Sequence, residues 1–391
     1  MKRRTVMLSA LGAVGGLAAL VVGWGVLPAR SRLGSPDMML PTQGDVALNG
    51  WIKIAADGSV VLAMPRSEMG QGVHTALAML VAEELDLPLN RVRLEQAGAD
   101  TIYGKVATLV GSLPFHPLES EGGNKPTKVR LGEWMVGKIA RELGIIVTGG
   151  SSSVADAWEP VRTAAATARA TLLGAAAAQW KLPVQELQVV DGLVSHPSGV
   201  SAHYGSLAAS AAGTAPGTVT LKDRKDWKLI GKKAPRSDIP AKTNGSTQFG
   251  LDVRLPGMLY AQVRQCPMLG GSVASLDAKA ALAMAGVEKL VALDAMGGST
   301  AGFAVVGKTT WHARQAAMAV DVKWQQRAQG ALDSQQIENH LLAALDGKSG
   351  DTFFEKGSVS KAQADAKRVI EATYSAPYLA HATMEPMNCT A

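Results

Sequence analysis

The stretch Glu68–Ala97, EMGQGVHTALAMLVAEELDLPLNRVRLEQA, decides most of the fold. Gly70 and Gly72 flank Gln71 at the mouth of an apolar pattern, although glycine is costly inside regular structure. From Val73 to Leu85 the residues Leu77, Leu80, Val81 and Leu85 fall on one helical face. Leu87-Pro88 interrupts that pattern, and the residues after it alternate as a strand does. The stretch predicts a loop, a helix, a turn and a strand.

The same order recurs downstream. TGGSSS (Thr148–Ser153) precedes a long Ala-rich helical run from Val154 to Trp180, and LPVQELQVVDG follows. Leu87-Pro88-Leu89-Asn90 aligns with Leu182-Pro183-Val184-Gln185, and Val92 and Leu94 align with Leu187 and Val189. A single internal repeat is not a solenoid, which needs more copies at a fixed period. The fold class is α+β, built from mixed helix–strand units. Upstream, WIKIAADGSVVLAM (Trp51–Met64) is two β-runs around Asp57-Gly58, a hairpin signal.

With 391 residues, 47% of them hydrophobic, the chain has material for two or three cores. Residues 31–44, rich in Gly, Pro and Ser, read as a linker, and 45–221 as the first domain. Charges and prolines cluster in LKDRKDWKLIGKKAPRSDIPAKTNG (Leu221–Gly245), so a second, smaller α/β domain is placed at 222–330. MLYAQVRQCP and FAVVGKTTWHARQAAMAV supply its strands and a helix. Residues 331–391 open a third region, whose final run KRVIEATYSAPYLAHATMEPMNCTA is strand-like.

Net charge is +6 and aromatics are 5%, with no basic stripe interleaved with stacking residues, so nucleic acid is not an expected partner. Cys266 and Cys389 cannot build CxxC, CxxCH or zinc spacings. The chain is therefore expected to carry no iron–sulfur cluster, attached haem or cysteine-rich zinc site. The two cysteines read either as a long-range disulfide or as two buried thiols.

Residues 1–30, MKRRTVMLSALGAVGGLAALVVGWGVLPAR, place Lys2, Arg3 and Arg4 before an uncharged run from Thr5 to Ala29. That is the grammar of an export signal, and Arg3-Arg4 is similar to a twin-arginine signal. The apolar run is also long enough for a bilayer anchor. The body is expected in the periplasm, or anchored to the inner membrane and facing it.

Both Gly-rich loops lie at predicted helix N-termini, where unpaired N–H groups and a partial positive charge suit phosphate. Neither is a Walker A loop nor GxGxxG. Read plainly, the glycines are turns, with Ser153 or Asp156 as N-cap. His74, His312 and His381 lack metal-ligand spacing and read as structural or surface residues. Glu68, Glu83 and Glu84 read as solvated or hydrogen-bonded. No metal ligand and no catalytic group is assigned from the residues alone.

The segments PRSEMGQGVHTALAMLVAEELDLPLNRVRLEQAGAD, TGGSSSVADAWEPVRTAAATARATLLGAAAAQW and PYLAHATMEPMNCTA together resemble the large molybdenum subunit of the xanthine dehydrogenase superfamily. The branch is that of isoquinoline 1-oxidoreductase beta subunits and membrane-associated aldehyde dehydrogenases. The likeness covers nearly all of 45–391, and Lys242–Trp324 resembles the a/b-hammerhead domain. It implies a molybdopterin-binding domain in 45–221, a hammerhead-like domain in 222–330 and the start of a further molybdopterin-binding domain in 331–391.

It also implies a molybdopterin cytosine dinucleotide cofactor. Gly70, Gln71 and Gly72 would lie against its pterin and phosphate end, and Gly149, Gly150, Ser151, Ser152 and Ser153 along the dinucleotide. Glu385, in Met384-Glu385-Pro386, would line the approach to molybdenum. The implied reaction hydroxylates a carbon beside nitrogen or oxidises an aldehyde, with oxygen from water. Electrons would leave through a small [2Fe–2S] subunit, and a cytochrome c would serve as acceptor. Family members continue beyond the MEP segment with a GGFGRR-type loop and a glutamate general base, which no residue here matches. The sequence alone therefore predicts an N-terminal part, inactive without the remainder of the large subunit. The alternative is a non-catalytic, membrane-tethered binding or scaffold protein of the same fold.

Overall fold

A computed structural model describes the protein over residues 30–40, 42–347, 350–380 and 382–391. The expected signal or anchor, apart from Arg30, and His381 lie outside the described residues. Among the described residues no helix is long and apolar enough to cross a membrane. The chain is α+β, with four small sheets among the described residues. It divides into two compact units, the first ending at Ser246 and the second beginning at Thr247.

The first unit starts with strands β1 (Val46–Ala47), β2 (Ile52–Ile54) and β3 (Val60–Met64), paired antiparallel in that order. The β2–β3 turn is closed by Asp57, whose Oδ1 accepts from the Ser59 N–H at 2.8 Å and hydroxyl at 2.6 Å. Helix α1 (Val73–Glu84) then crosses over to β4 (Val92–Gln96), which runs parallel to β3 with Val60 opposite Val92. A parallel pair needs such a crossover.

Between β4 and the second Gly-rich loop lies an excursion that the sequence pattern did not announce. It holds α2 (Val106–Gly111), α3 (Pro117–Ser120) and α4 (Thr127–Leu143). Its ends meet where Gly104 and Gly144 pass so closely that a Cβ on Gly104 would lie 2.6 Å from the Gly144 Cα. Helix α5 (Ser153–Trp180) follows, then a meander of β5 (Gln188–Val190), β6 (Leu193–Ser195) and β7 (Ser201–His203), and α6 (Tyr204–Ala211). After each Leu-Pro turn, a 3-10 turn precedes the strand, at Leu89–Arg91 and at Val184–Glu186. The internal repeat is thus visible in the backbone.

Alanines give α5 a flat face, so α1 and the sheet pack close to it. Ala164, Ala165 and Ala168 are fully buried with Leu77, Val81 and Leu62. Burying each leucine contributes roughly 1.5–3 kcal/mol. Pro160 sits inside α5 and offers no N–H to the Asp156 carbonyl four residues back. Arg32 Nη1 donates to that oxygen instead, at 3.2 Å. Residues 31–44 are therefore more than a tether: Arg32 is anchored here, and Met39 joins the core.

Of the two readings of Glu83 and Glu84, the hydrogen-bonded one holds. Both are buried at the end of α1, where Glu83 accepts from the amides of Lys228, Leu229 and Ile230 at 2.9, 2.6 and 3.1 Å. Glu84 pairs with Arg162 and accepts from the Lys222 amide. These carboxylates hold residues 222–230 against the rest of the first unit, which also contains α7 (Ile239–Thr243).

In the second unit, β8 (Tyr260–Gln265), β9 (Ser272–Asp277), β10 (Val287–Leu293), β11 (Gly302–Gly307) and β12 (Asp321–Gln325) form two antiparallel sheets, with helix α8 (Lys279–Leu282) after β9 and helix α9 (Thr310–Ala319) after β11. Their orders are β10-β11-β8 and β12-β9. Phe303, Val305, Ala316, Ala317 and Val320 make a small core. Helices α10 (Ser334–Leu345) and α11 (Val359–Asp365) follow.

The strand expected from Lys367 onward does not form among the described residues. Val369, Ile370 and Tyr378 lie exposed, and no sheet edge there supplies the pairing a strand requires. Both cysteines are free; Cys266 is buried and Cys389 exposed, so neither expectation for the pair holds.

Candidate cofactor site

The chain leaves β3 through Pro65 and enters the first loop at Arg66. Gly70 and Gly72 adopt φ of +94° and +83°, the left-handed region that glycine enters without penalty. This turn folds the loop around Glu68. One carboxylate oxygen accepts from the Gly70 and Gly72 amides, both at 2.9 Å, and the other accepts from the His74 amide at 3.1 Å. Glu68 therefore caps α1 from within the loop. Burial alone would raise its pKa, but the three amides outweigh that and hold it below the usual carboxylate range.

Gln71 is also engaged internally: Oε1 accepts from the Met69 amide at 2.5 Å, and Nε2 donates to the Ser67 carbonyl at 2.9 Å. Arg236 closes the loop from outside, donating to the Gly70 carbonyl at 2.7 Å and pairing with Glu68 at 3.3 Å. His74 Nε2 lies 3.0 Å from the Arg66 carbonyl oxygen, a structural contact. The Gly70 and Gly72 donors that suited a phosphate are spent on Glu68.

The Gln71 and Val73 amides find no acceptor among the described residues, and the second loop leaves a longer, continuous run open. Gly150 and Ser151 take φ of +60° and +49°. The backbone N–H groups of Gly150, Ser151, Ser152 and Ser153 find no acceptor among the described residues. Successive amides in such turns form an anion-accepting concavity, here reinforced by the N-terminus of α5. Ser152 is the N-cap residue, yet its hydroxyl does not cap; it donates to the Gly149 carbonyl at 3.4 Å. Asp156 does not cap its own helix either. Its Oδ1 accepts from the Val106 and Ala107 amides at 2.8 and 2.9 Å, capping α2 instead.

Contacts beneath the loops join them. The Ser67 amide donates to the Thr148 hydroxyl at 2.9 Å. Arg66, which begins the first loop, pairs with Asp156, which follows the second, at 2.8 Å with both side chains buried. Arg32 reaches the same carboxylate oxygen at 3.0 Å. Lys105 is buried as well, and its Nζ donates to the Gly149 carbonyl.

The two loops face each other across a cavity of about 440 Å³. Gln71, Gly72, Gly149, Gly150, Ser151 and Ser153 line it, while Gly70 and Ser152 do not. A second cavity of about 470 Å³, between Arg30, Arg32, Arg141 and Glu159, shares only Asp156's neighbourhood with the loops. Its size is similar, but the open amides belong to the first. Glu385 lies in the second unit, where its Oε1 accepts from the Gly250 amide at 2.9 Å and from Asn388 Nδ2 at 3.1 Å. It fastens the MEP segment to the 249–252 turn. No group of His, Cys, Asp or Glu side chains able to hold a metal occurs among the described residues.

Lys105, Asp156, Arg66 and Arg236 were not singled out as site residues by the sequence. The one signal available was position, since Arg66 and Asp156 flank the two Gly-rich loops.

Comparison with known proteins gives the following. A family described as a molybdopterin cofactor-binding domain matches residues 14–112. The chain is 33% identical over 358 residues to the beta subunit of isoquinoline 1-oxidoreductase from Brevundimonas diminuta, covering 82% of this chain and 40% of that protein. It is 25% identical over 401 residues to the membrane-bound aldehyde dehydrogenase (pyrroloquinoline-quinone) of Gluconacetobacter polyoxogenes, covering 100% and 46%. It is 26% identical over 360 residues to a nicotinate dehydrogenase subunit of Pseudomonas putida, covering 88% and 26%. The chain spans less than half the length of each of these relatives.

Proposed function

The chain carries a molybdopterin-binding domain of the xanthine dehydrogenase and aldehyde oxidase superfamily, and from that premise we propose that its paired loops hold a molybdopterin cytosine dinucleotide. The observation that carries this reading is the convergence of both loops on one cavity, with a run of open amides on one side. The residues fit a phosphate-bearing group. The amides of Gly150 to Ser153 supply donors, and the absence of a side chain at Gly72 and Gly149 lets a ligand approach the backbone. When bound, the cofactor supplies two-electron chemistry with oxygen from water, for hydroxylation beside a ring nitrogen or oxidation of an aldehyde.

The chain's own residues bind and orient. The second loop receives phosphate, while the first, stiffened by Glu68, Gln71 and Arg236, presents a preformed surface. Electron transfer to a separate [2Fe–2S] subunit, and from there to a cytochrome c, accords with the scarcity of cysteine. Residues 1–30 are read as directing export or anchoring, and Glu385 as holding the segment that borders the substrate approach. The domain names proposed for 45–221, 222–330 and 331–391 follow the same resemblance.

The test is metal and nucleotide analysis of the protein purified from its host. Molybdenum and acid-released CMP in near-equal amounts per chain are expected. Folded protein that carries neither contradicts the proposal and favours a binding protein that has lost the cofactor.

A further inference from the structure

The ion cluster behind the second loop is not neutral. Among the described residues, Arg32, Arg66 and Lys105 gather around one carboxylate, Asp156. Asp156 spends Oδ2 on the two arginines and Oδ1 on the α2 amides, and it makes no ion pair with Lys105. Arg66 Nε is itself buried without a hydrogen-bond partner. Lys105 is 1% exposed, and the Gly149 carbonyl is its one hydrogen-bond acceptor among the described residues. An ammonium has three N–H donors, so two lack a protein acceptor. Buried charge without a counter-charge is unfavourable, and an anion nearby relieves it. Burial, aided by the Arg66 charge and opposed by Asp156, holds Lys105 below the usual lysine range.

Direction supplies the second observation. Among the described residues the peptide bonds are trans, so a carbonyl and the following N–H point to opposite sides. With the Gly149 carbonyl turned toward buried Lys105, the Gly150 N–H turns the other way. Both glycines line the cavity.

Resting on the reading that this cavity takes a phosphate-bearing cofactor, we infer that Lys105 is a positioning residue and counter-charge for the anionic end of that ligand. It fixes the Gly149–Gly150 peptide and draws phosphate onto the Gly150 and Ser151 amides.

The experiment titrates the full ¹⁵N-labelled chain with inorganic pyrophosphate and follows amide resonances, for wild type, Lys105→Met and Lys105→Arg. Wild type is expected to show saturable shifts at Gly150 and Ser151. Lys105→Met is expected to weaken binding about tenfold or more, the scale of a charged hydrogen bond, with Lys105→Arg restoring most of it. Equal binding by a folded Lys105→Met overturns the inference while leaving the cofactor reading intact. If Lys105→Met does not fold, wild type still decides: bound pyrophosphate with an unmoved Gly150 amide overturns it. A wild-type chain that binds no pyrophosphate overturns both.

Discussion

Glu68 occupies the position that an anion would take at the N-terminus of α1. Three amides converge on its carboxylate, so the Gly70 and Gly72 donors of the GQG loop are taken before any ligand arrives. Glu68→Ala is expected to destabilise the chain by about 1 kcal/mol, the scale of a lost helix cap, measured by urea unfolding. The carboxylate's pKa is depressed in the fold, so its contribution is full above the unfolded pKa. It is lost as pH falls through the lower folded value. Unfolding at successive pH values should show wild type and Glu68→Ala converging in acid; a constant gap would contradict the cap. Asp156 is the more severe site. Removing it leaves two arginines without their buried partner, so Asp156→Ala is expected to cost about 3–5 kcal/mol. A thermal melt unchanged from wild type would contradict the hub role. None of these partnerships was legible in the sequence, because Arg66 and Asp156 stand ninety positions apart. Charged residues in isolation read as solvated or hydrogen-bonded, with no partner named. The glycines were legible, since their positive φ is a local requirement.

The two long helices and the β2–β3 hairpin were readable because their signals are local: one apolar face in α1, an alanine run in α5, and Asp57-Gly58 at the turn. The excursion from Gly104 to Gly144 was not readable. Its α4 leaves Leu131, Trp134 and Met135 exposed, so its apolar pattern does not report a buried face. What fixes the excursion is a backbone crossing rather than a periodicity. Gly144 has φ of +58°, and a Cβ there would lie 2.8 Å from the Thr101 Cα. Gly144→Ala is expected to cost about 1–3 kcal/mol through strain and overlap. It should also weaken pyrophosphate binding, because Lys105 begins the same excursion and its amide bonds the Ile145 carbonyl at 2.8 Å. Gly123→Ala, where a Cβ meets nothing within 4 Å, should stay within about 0.5 kcal/mol of wild type. Equal stability of the two variants would show that the crossing does not constrain the excursion. The strand expected after Lys367 failed for the opposite reason: its pattern was present, but a strand also needs a partner edge.

At the scale of the molecule, the chain is two units with separate cores, and the paired loops belong wholly to the first. The family was legible from loop motifs in order along the chain. The asymmetry between the loops was not, because it depends on which amides the fold has already used. Activity, substrate and redox partners belong to a protein more than twice this span in the relatives it matches. We propose that phosphate lands on the second loop rather than on the glycine amides of the first. The deciding measurement is hydrogen–deuterium exchange with and without bound molybdopterin cytosine dinucleotide. Amides of Gly150 to Ser153 are predicted to exchange quickly in the free chain and to gain strong protection on binding. Gly70 and Gly72, already bonded to Glu68, should change little. Protection gained at Gly70 and Gly72 with none at Gly150 to Ser153 would put the phosphate on the first loop instead.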